Sequence, residues 1–213
     1  MYPSHTQRGC EMTNRREFLH LGVAALSLPI AARAGVSSEL FPADAQPHAE
    51  PLYKVCFDLR FQECAAFADE IKRRSIPTHG TRGDITELWF RDLYYRWKKA
   101  PVAIAGMTAP GAIFCLEMLA REAGMRVALR VDHRRLSDGR TEHEFAGPEE
   151  VFTRAADAEG GGTGLPERMA KIVAQFPAER GRAAKLRFSE ADLASSNGPD
   201  HLVTWVIAPV QRA

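Results

Sequence analysis

Between residues 52 and 75 the apolar positions change period, and that change limits the chain to folds that alternate strands with helices. Tyr53, Val55, Phe57 and Leu59 fall on one side of an extended segment and Lys54, Cys56, Asp58 and Arg60 on the other, the two-residue period of a strand. From Gln62 the spacing becomes three and four, with Cys64, Phe67, Ala68 and Ile71 lining one side of a helix. The exchange recurs along the chain. Residues 102–105 form a short apolar strand, residues 106–111 read as a turn, and a helix follows to about Ala123, where Gly124 ends it. Arg126 to Asp132 alternates again, with Val127, Leu129 and Val131 expected on one side. The Asp138-Gly139 dipeptide predicts a two-residue hairpin turn, which would set Arg135 against Glu142 and His133 against Glu144. Residues 202–208, rich in β-formers, are expected to close the sheet as a buried strand. This order predicts an α/β three-layer sandwich with a mainly parallel sheet and a late antiparallel hairpin.

Two further segments complete the reading of the domain. A loop through Pro77, Gly80 and Gly83, with room for a short strand before it, leads to Asp84 and Glu87, a capping pair whose carboxylates suit the free N–H groups of a helix start. The helix it opens carries Ile85, Leu88, Trp89, Leu93 and Trp97 and closes on Lys98 and Lys99 before Pro101. Its aromatic residues point in more directions than one buried stripe can absorb. Tyr94 and Trp97 are therefore the candidates for partner binding, where Trp, Tyr and Arg are preferred anchors. Later, the glycines at 160–162 and 164 read as a surface loop before a helix over 166–176.

The N-terminus differs in kind. Asn14, Arg15, Arg16, Glu17, Phe18, Leu19 and His20 open an apolar run that reaches Ile30, too short for the roughly 20 residues that span a bilayer. Ala32, Arg33 and Ala34 follow as an Ala-x-Ala cleavage pattern, so the expected mature chain begins at Gly35. With its paired arginines abutting the apolar run, followed by Phe18 and Leu19, the segment resembles a twin-arginine signal peptide. Asn14 and His20 stand where that family has Ser or Thr and often Lys. Met12 is an alternative start that would leave the arginines in a short n-region. The resemblance implies recognition by the twin-arginine translocation machinery, export of a folded protein to the periplasm or beyond, and no stable membrane anchor once cleaved. Residues 1–34 are the expected signal, 35–51, with Pro42, Pro47 and Pro51, an extended linker, and 52–213 a single α/β domain.

Composition narrows the partners. Of 213 residues 45% are hydrophobic and 26% charged, the profile of an ordinary globular chain. The 28 Lys and Arg nearly cancel 27 Asp and Glu, so no global field recruits nucleic acid. After cleavage Cys56, Cys64 and Cys115 remain, with no metal-ligand spacing among them, and the reading favours three buried thiols.

Function is less legible. Gly106 to Gly111, after a buried strand, lacks both phosphate fingerprints, yet glycine there would let the backbone approach a ligand, and Thr108 is either a ligand contact or a helix cap. His79, His133, His143 and His201 fall at no metal-binding spacing, and His133 and His143 are expected nearly opposite each other on the hairpin but on different faces. Arg60, His79, Thr108, Gly111 and His133 are the expected ligand-binding residues, converging beyond the C-terminal ends of the parallel strands. No metal is implied and no cofactor is specified. Two function classes follow. One is a non-catalytic exported protein, either a small-ligand binder or an escort subunit carrying a signal-less redox enzyme; the other is a periplasmic enzyme with its site at that edge.

Overall fold

The computed structural model describes residues 49–157, 164–178, 180–191 and 199–210, within the compact unit Asp44–Ala213. The export signal with Arg15, Arg16, Phe18 and Leu19, the cleavage residues Ala32 and Ala34, most of the 35–51 segment and the glycines at 160–162 lie outside the described residues. Among the described residues the chain runs β1 (Leu52–Asp58), α1 (Gln62–Arg73), β2 (Thr78–Thr81), α2 (Thr86–Leu88), a π-helical turn (Trp89–Leu93), α3 (Tyr94–Lys99), β3 (Ala103–Thr108), α4 (Pro110–Glu122), β4 (Met125–Arg135), β5 (Arg140–Pro148), α5 (Glu149–Asp157), α6 (Leu165–Ala174), β6 (Ala183–Ala191) and β7 (His201–Pro209). The fold is α/β, built on one seven-stranded sheet in the order β2-β1-β3-β7-β4-β5-β6.

That sheet is mixed rather than mainly parallel. The β2, β1 and β3 strands run parallel at one end, and every other neighbour pair is antiparallel. The difference arises at β7, which inserts between β3 and β4 against the direction of both, and at β6, a strand that the sequence reading did not find. Leu186 and Phe188 alternate in β6 among charged residues, too faint a pattern to separate from surface loop.

Two hydrophobic clusters hold the helices to the sheet, and successive residues of one strand enter different clusters. Val55 and Phe57 join the first with Cys64, Phe67, Ala68 and Ile71 of α1 and Met169, Ala170 and Val173 of α6. Cys56 joins the second, around Trp205, with Leu88, Leu93, Trp97 and the Ala112, Ile113, Leu116 and Ala120 stripe of α4. Burying a large apolar side chain of this kind contributes about 1.5–3 kcal/mol.

Three local expectations are corrected. First, β3 continues through Thr108, so Gly106 lies inside the strand and not in a turn. A Cβ at Gly106 would sit 2.6 Å from the Trp205 ring and 2.5 Å from the Cys56 carbonyl oxygen, so it is the indole that comes close to this backbone. Second, a register shift between Val127 and Leu129 on β4 sends Val127 toward the second cluster while Leu129 and Val131 stay in the first. A similar shift between Leu52 and Lys54 turns Tyr53 away from Val55. Third, the hairpin turn is one residue longer than expected. The Leu136 N–H donates to the Arg140 carbonyl at 2.7 Å, the Gly139 N–H donates to the Leu136 carbonyl at 3.2 Å, and Gly139 takes φ +76°. This three-residue turn pairs Arg135 with Thr141, Arg134 with Glu142 and His133 with His143.

Before β1, the Glu50 N–H donates to the Phe176 carbonyl, and the Glu50 carboxylate pairs with Arg180, so the end of the expected linker is tied to the domain. The N-cap of α2 is Ile85 rather than Asp84, although the Asp84 carboxylate accepts from the N–H of the first helical residue, Thr86, at 2.8 Å. Glu87 instead pairs with Arg91.

Candidate functional site at the C-terminal edge of the parallel strands

Among the described residues the buried polar side chains are Asp58, Thr81, Thr108, Asp132, His133, His143 and Thr204. All belong to one edge of the sheet. Asp58, Thr81 and Thr108 are the last residues of β1, β2 and β3, and Asp132 and His133 lie near the end of β4. Thr204 and His143 lie near the starts of β7 and β5, which run the opposite way. Burying polar groups costs free energy unless partners replace water, so their concentration at the edge where α/β folds bind ligands is a functional signal.

At the ends of β1 and β3, Asp58 is fully buried and accepts from the Arg60 backbone N–H at 3.1 Å, from Arg60 Nε at 2.9 Å and from Arg60 Nη2 at 2.6 Å. Burial pushes the Asp58 carboxyl up, but the Arg60 side chain, the Arg60 backbone N–H and a backbone hydrogen bond from Ala109 outweigh it, leaving Asp58 below its usual range. Arg60, expected to meet an anion, is thus already engaged by a carboxylate, with its guanidinium over the Phe61 ring. Thr108 is neither cap nor free hydroxyl: its Oγ1 accepts from Trp205 Nε1 at 3.1 Å, and Ala109 is the N-cap of α4. Gly111 sits in the first turn of α4, where a Cβ would meet nothing within 4 Å. Its N–H, in the first turn of α4, has no intrahelical acceptor.

Farther along the same edge, the longer hairpin turn brings two histidines face to face. His133 Nδ1 lies 2.8 Å from His143 Nδ1, so one nitrogen donates and the other accepts, and a single proton holds the pair together. His133 Nε2 is 2.9 Å from Thr204 Oγ1, and His143 Nε2 is 3.2 Å from Glu190 Oε1. Arg168 of α6 holds Glu190 at 2.5 Å. Burial first, and then the neighbouring His143, hold His133 well below its ordinary value, so it is neutral at pH 7. The placement of these histidines on different faces is therefore overturned, because a one-residue change of register moves a side chain to the other face of its partner strand. On β4, Asp132 accepts from Arg130 at 2.7 and 2.9 Å and sits 2.8 Å from His201 Nε2. Burial alone would raise the Asp132 carboxyl; Arg130 and His201 bring it below the usual range.

The expected residues are only partly gathered. Arg60, Thr108 and Gly111 surround the ends of β1 and β3. His133 belongs to the histidine pair, and His79 lies on edge strand β2, in register with Cys56 and apart from the pair by the whole of β1, β3 and β7. Asp58, His143, Thr204 and Glu190 were not singled out for ligand contact. Only the register could have found the first three, since none sits in a motif. Trp97, expected as a partner contact, is 2% exposed and donates from Nε1 to the Val102 carbonyl at 3.0 Å, so it is core. Tyr94 is 40% exposed and Tyr95 66%, so the exposed aromatics of this helical run are these two with Phe90.

The two buried thiols are poor nucleophiles. Cys56 and Cys64 are buried, and burial pushes each thiol up to about 12; Cys115 is exposed, which corrects the expectation of three buried thiols. Among the described residues no three His, Cys, Asp or Glu side chains converge as metal ligands, and no helix is long and apolar enough to cross a membrane. Compared with family models, curated proteins and solved structures, the chain matches none.

Proposed function

We propose that this protein is an exported, non-catalytic component of the cell envelope, a three-layer α/β sandwich that binds a small polar ligand at the C-terminal edge of its parallel strands. The observation that carries this reading is the fixed pairing of the charges at that edge. Asp58 is held by Arg60, Asp132 by Arg130 and His201, and Glu190 by Arg168. Groups locked in this way are rigid and electrically balanced, suited to recognition by geometry more than to changing charge during a reaction. The Gly111 N–H is the group left to orient a ligand. The twin-arginine signal supports export after folding, with the ligand already bound in the cytoplasm.

The buried His133–His143 pair favours a second reading, an enzyme in which this pair transfers a proton. Both readings are tested on protein recovered from the exported fraction by native mass spectrometry before and after denaturation. Binding predicts a small molecule that is released on denaturation, lost in Arg60→Ala and retained unchanged in His133→Gln. Release of a chemically altered molecule by the wild type, with the unaltered form trapped by His133→Gln, would establish the enzyme. A ligand-free wild-type mass would remove both.

A further inference from the structure

At the opposite ends of β4, β5 and β6 lies a groove of about 470 Å³, within the range of small-molecule sites. Ala128, Ala146, Gly147 and Ala184 line its floor, all of them small, and Ala146 turns its methyl to the face that carries Arg130 and Lys185. The strand register explains the hollow. Arg130, Ala146 and Lys185 are direct neighbours across β4, β5 and β6, so a methyl group lies between two long cationic side chains. With adjacent strands about 4.8 Å apart, the two cations flank a notch roughly 10 Å wide at the backbone.

Four cations line this groove, and two of them are already paired. Asp132 holds Arg130, Glu50 holds Arg180, and Glu117, the one acid in the lining, is held by Arg121 at 2.7 Å, so the charge left over belongs to Arg126 and Lys185. Arg126 and Lys185 are exposed, and their side chains have no ion pair or hydrogen bond with the described residues. Arg180 is half-buried as a residue, but its side chain is only 5% exposed, bound through Nη1 to the Pro209 carbonyl and through Nη2 to Glu50. Its buried Nε has no acceptor among the described residues. An unsatisfied buried donor on a cation is costly, and an anionic oxygen is the acceptor that would relieve it.

We infer that this groove is a second binding site, for a small organic anion that sets its acidic group on Arg126, Arg180 and Lys185 and its apolar body on the alanine floor. The site is independent of the proposed ligand at the other edge of the sheet. The test is fluorescence titration of the exported protein with anilinonaphthalenesulfonate, an aromatic sulfonate of this chemistry, beside its uncharged relative phenylnaphthylamine. The sulfonate should bind, and the uncharged compound should bind far more weakly. The double variant Arg126→Gln, Lys185→Gln should weaken sulfonate binding about tenfold or more, as expected for losing charge-assisted hydrogen bonds, with an unchanged denaturant midpoint. The Arg60→Ala variant, at the other edge, should bind the sulfonate like the wild type. No sulfonate binding by the wild type, equal binding by the double variant, or equal binding of the uncharged compound would overturn the assignment. The last two outcomes would trace the fluorescence to exposed aromatics such as Phe90 and Phe114.

Discussion

At the scale of single residues, two glycines that look alike in sequence have opposite roles. Gly106 is required because the Trp205 indole and the Cys56 carbonyl occupy the space of a side chain, whereas Gly111 faces open space with an ordinary backbone. Gly106→Ala should therefore destabilise the fold by about 1–3 kcal/mol through overpacking. Gly111→Ala should leave the stability unchanged or raise it by up to about 1 kcal/mol, read from denaturant unfolding, as replacing glycine in a helix does. If the two variants unfolded at the same midpoint, the indole would not need Gly106. His133 supplies the pH dependence. Because its folded-state pKa lies well below the ordinary 6.5, the unfolded chain takes up its proton first, and stability present above pH 6.5 is lost as pH falls below it. His79 shifts the same way and adds to this loss. Asp58 and Asp132, held below 3.8, contribute stability that is lost only at much lower pH. Denaturant midpoints should therefore start to fall below about pH 6.5, and His133→Gln should flatten that slope without touching the acid limb. A flat wild-type profile between about pH 5 and 7 would mean that His133 and His79 take up protons as readily in the folded state as in the unfolded chain.

At the scale of elements, the aromatic helical run separates into a buried and an exposed side. Leu88, Leu93 and Trp97 are buried around the second cluster, while Phe90 and Tyr95 stand more than 60% exposed. The π-helical turn contributes both Phe90 and Leu93 and carries Asp92, which bonds to Tyr53 at 2.8 Å and pairs with Lys54. Trp97→Ala should cost about 3–5 kcal/mol of folding, the range for emptying a core aromatic site, whereas Tyr95→Ala should stay within about 0.5 kcal/mol of wild type. If an escort surface exists, Tyr94→Ala and Tyr95→Ala are the variants that should lose a co-purifying partner while keeping their circular dichroism. Loss of the fold in both would show that these rings are structural, and a partner that survives both would place the surface elsewhere.

At the scale of the whole molecule, the export proposal is tested apart from everything within the domain. Changing Arg15 and Arg16 to Lys should leave the precursor in the cytoplasm, with residues 1–34 still attached by intact mass; export at the wild-type level would refute the twin-arginine reading. Within the domain, the local sequence by itself determined that β1 precedes α1, which apolar stripe α1 buries, that α4 stops just before Gly124, and that residues 202–208 are a buried strand. Those features depend on residues a few positions apart, whose packing follows from chain geometry alone. Tertiary structure alone decided the rest. It inserted β7 between β3 and β4 and made the sheet mixed, because strand order depends on contacts between segments nearly a hundred residues apart in the chain. It revealed that Gly106 accommodates Trp205, a constraint invisible from either position alone. It also brought His133 and His143 together, because one extra residue in the 136–140 turn shifts the pairing of every residue that follows, and side chains alternate with period two.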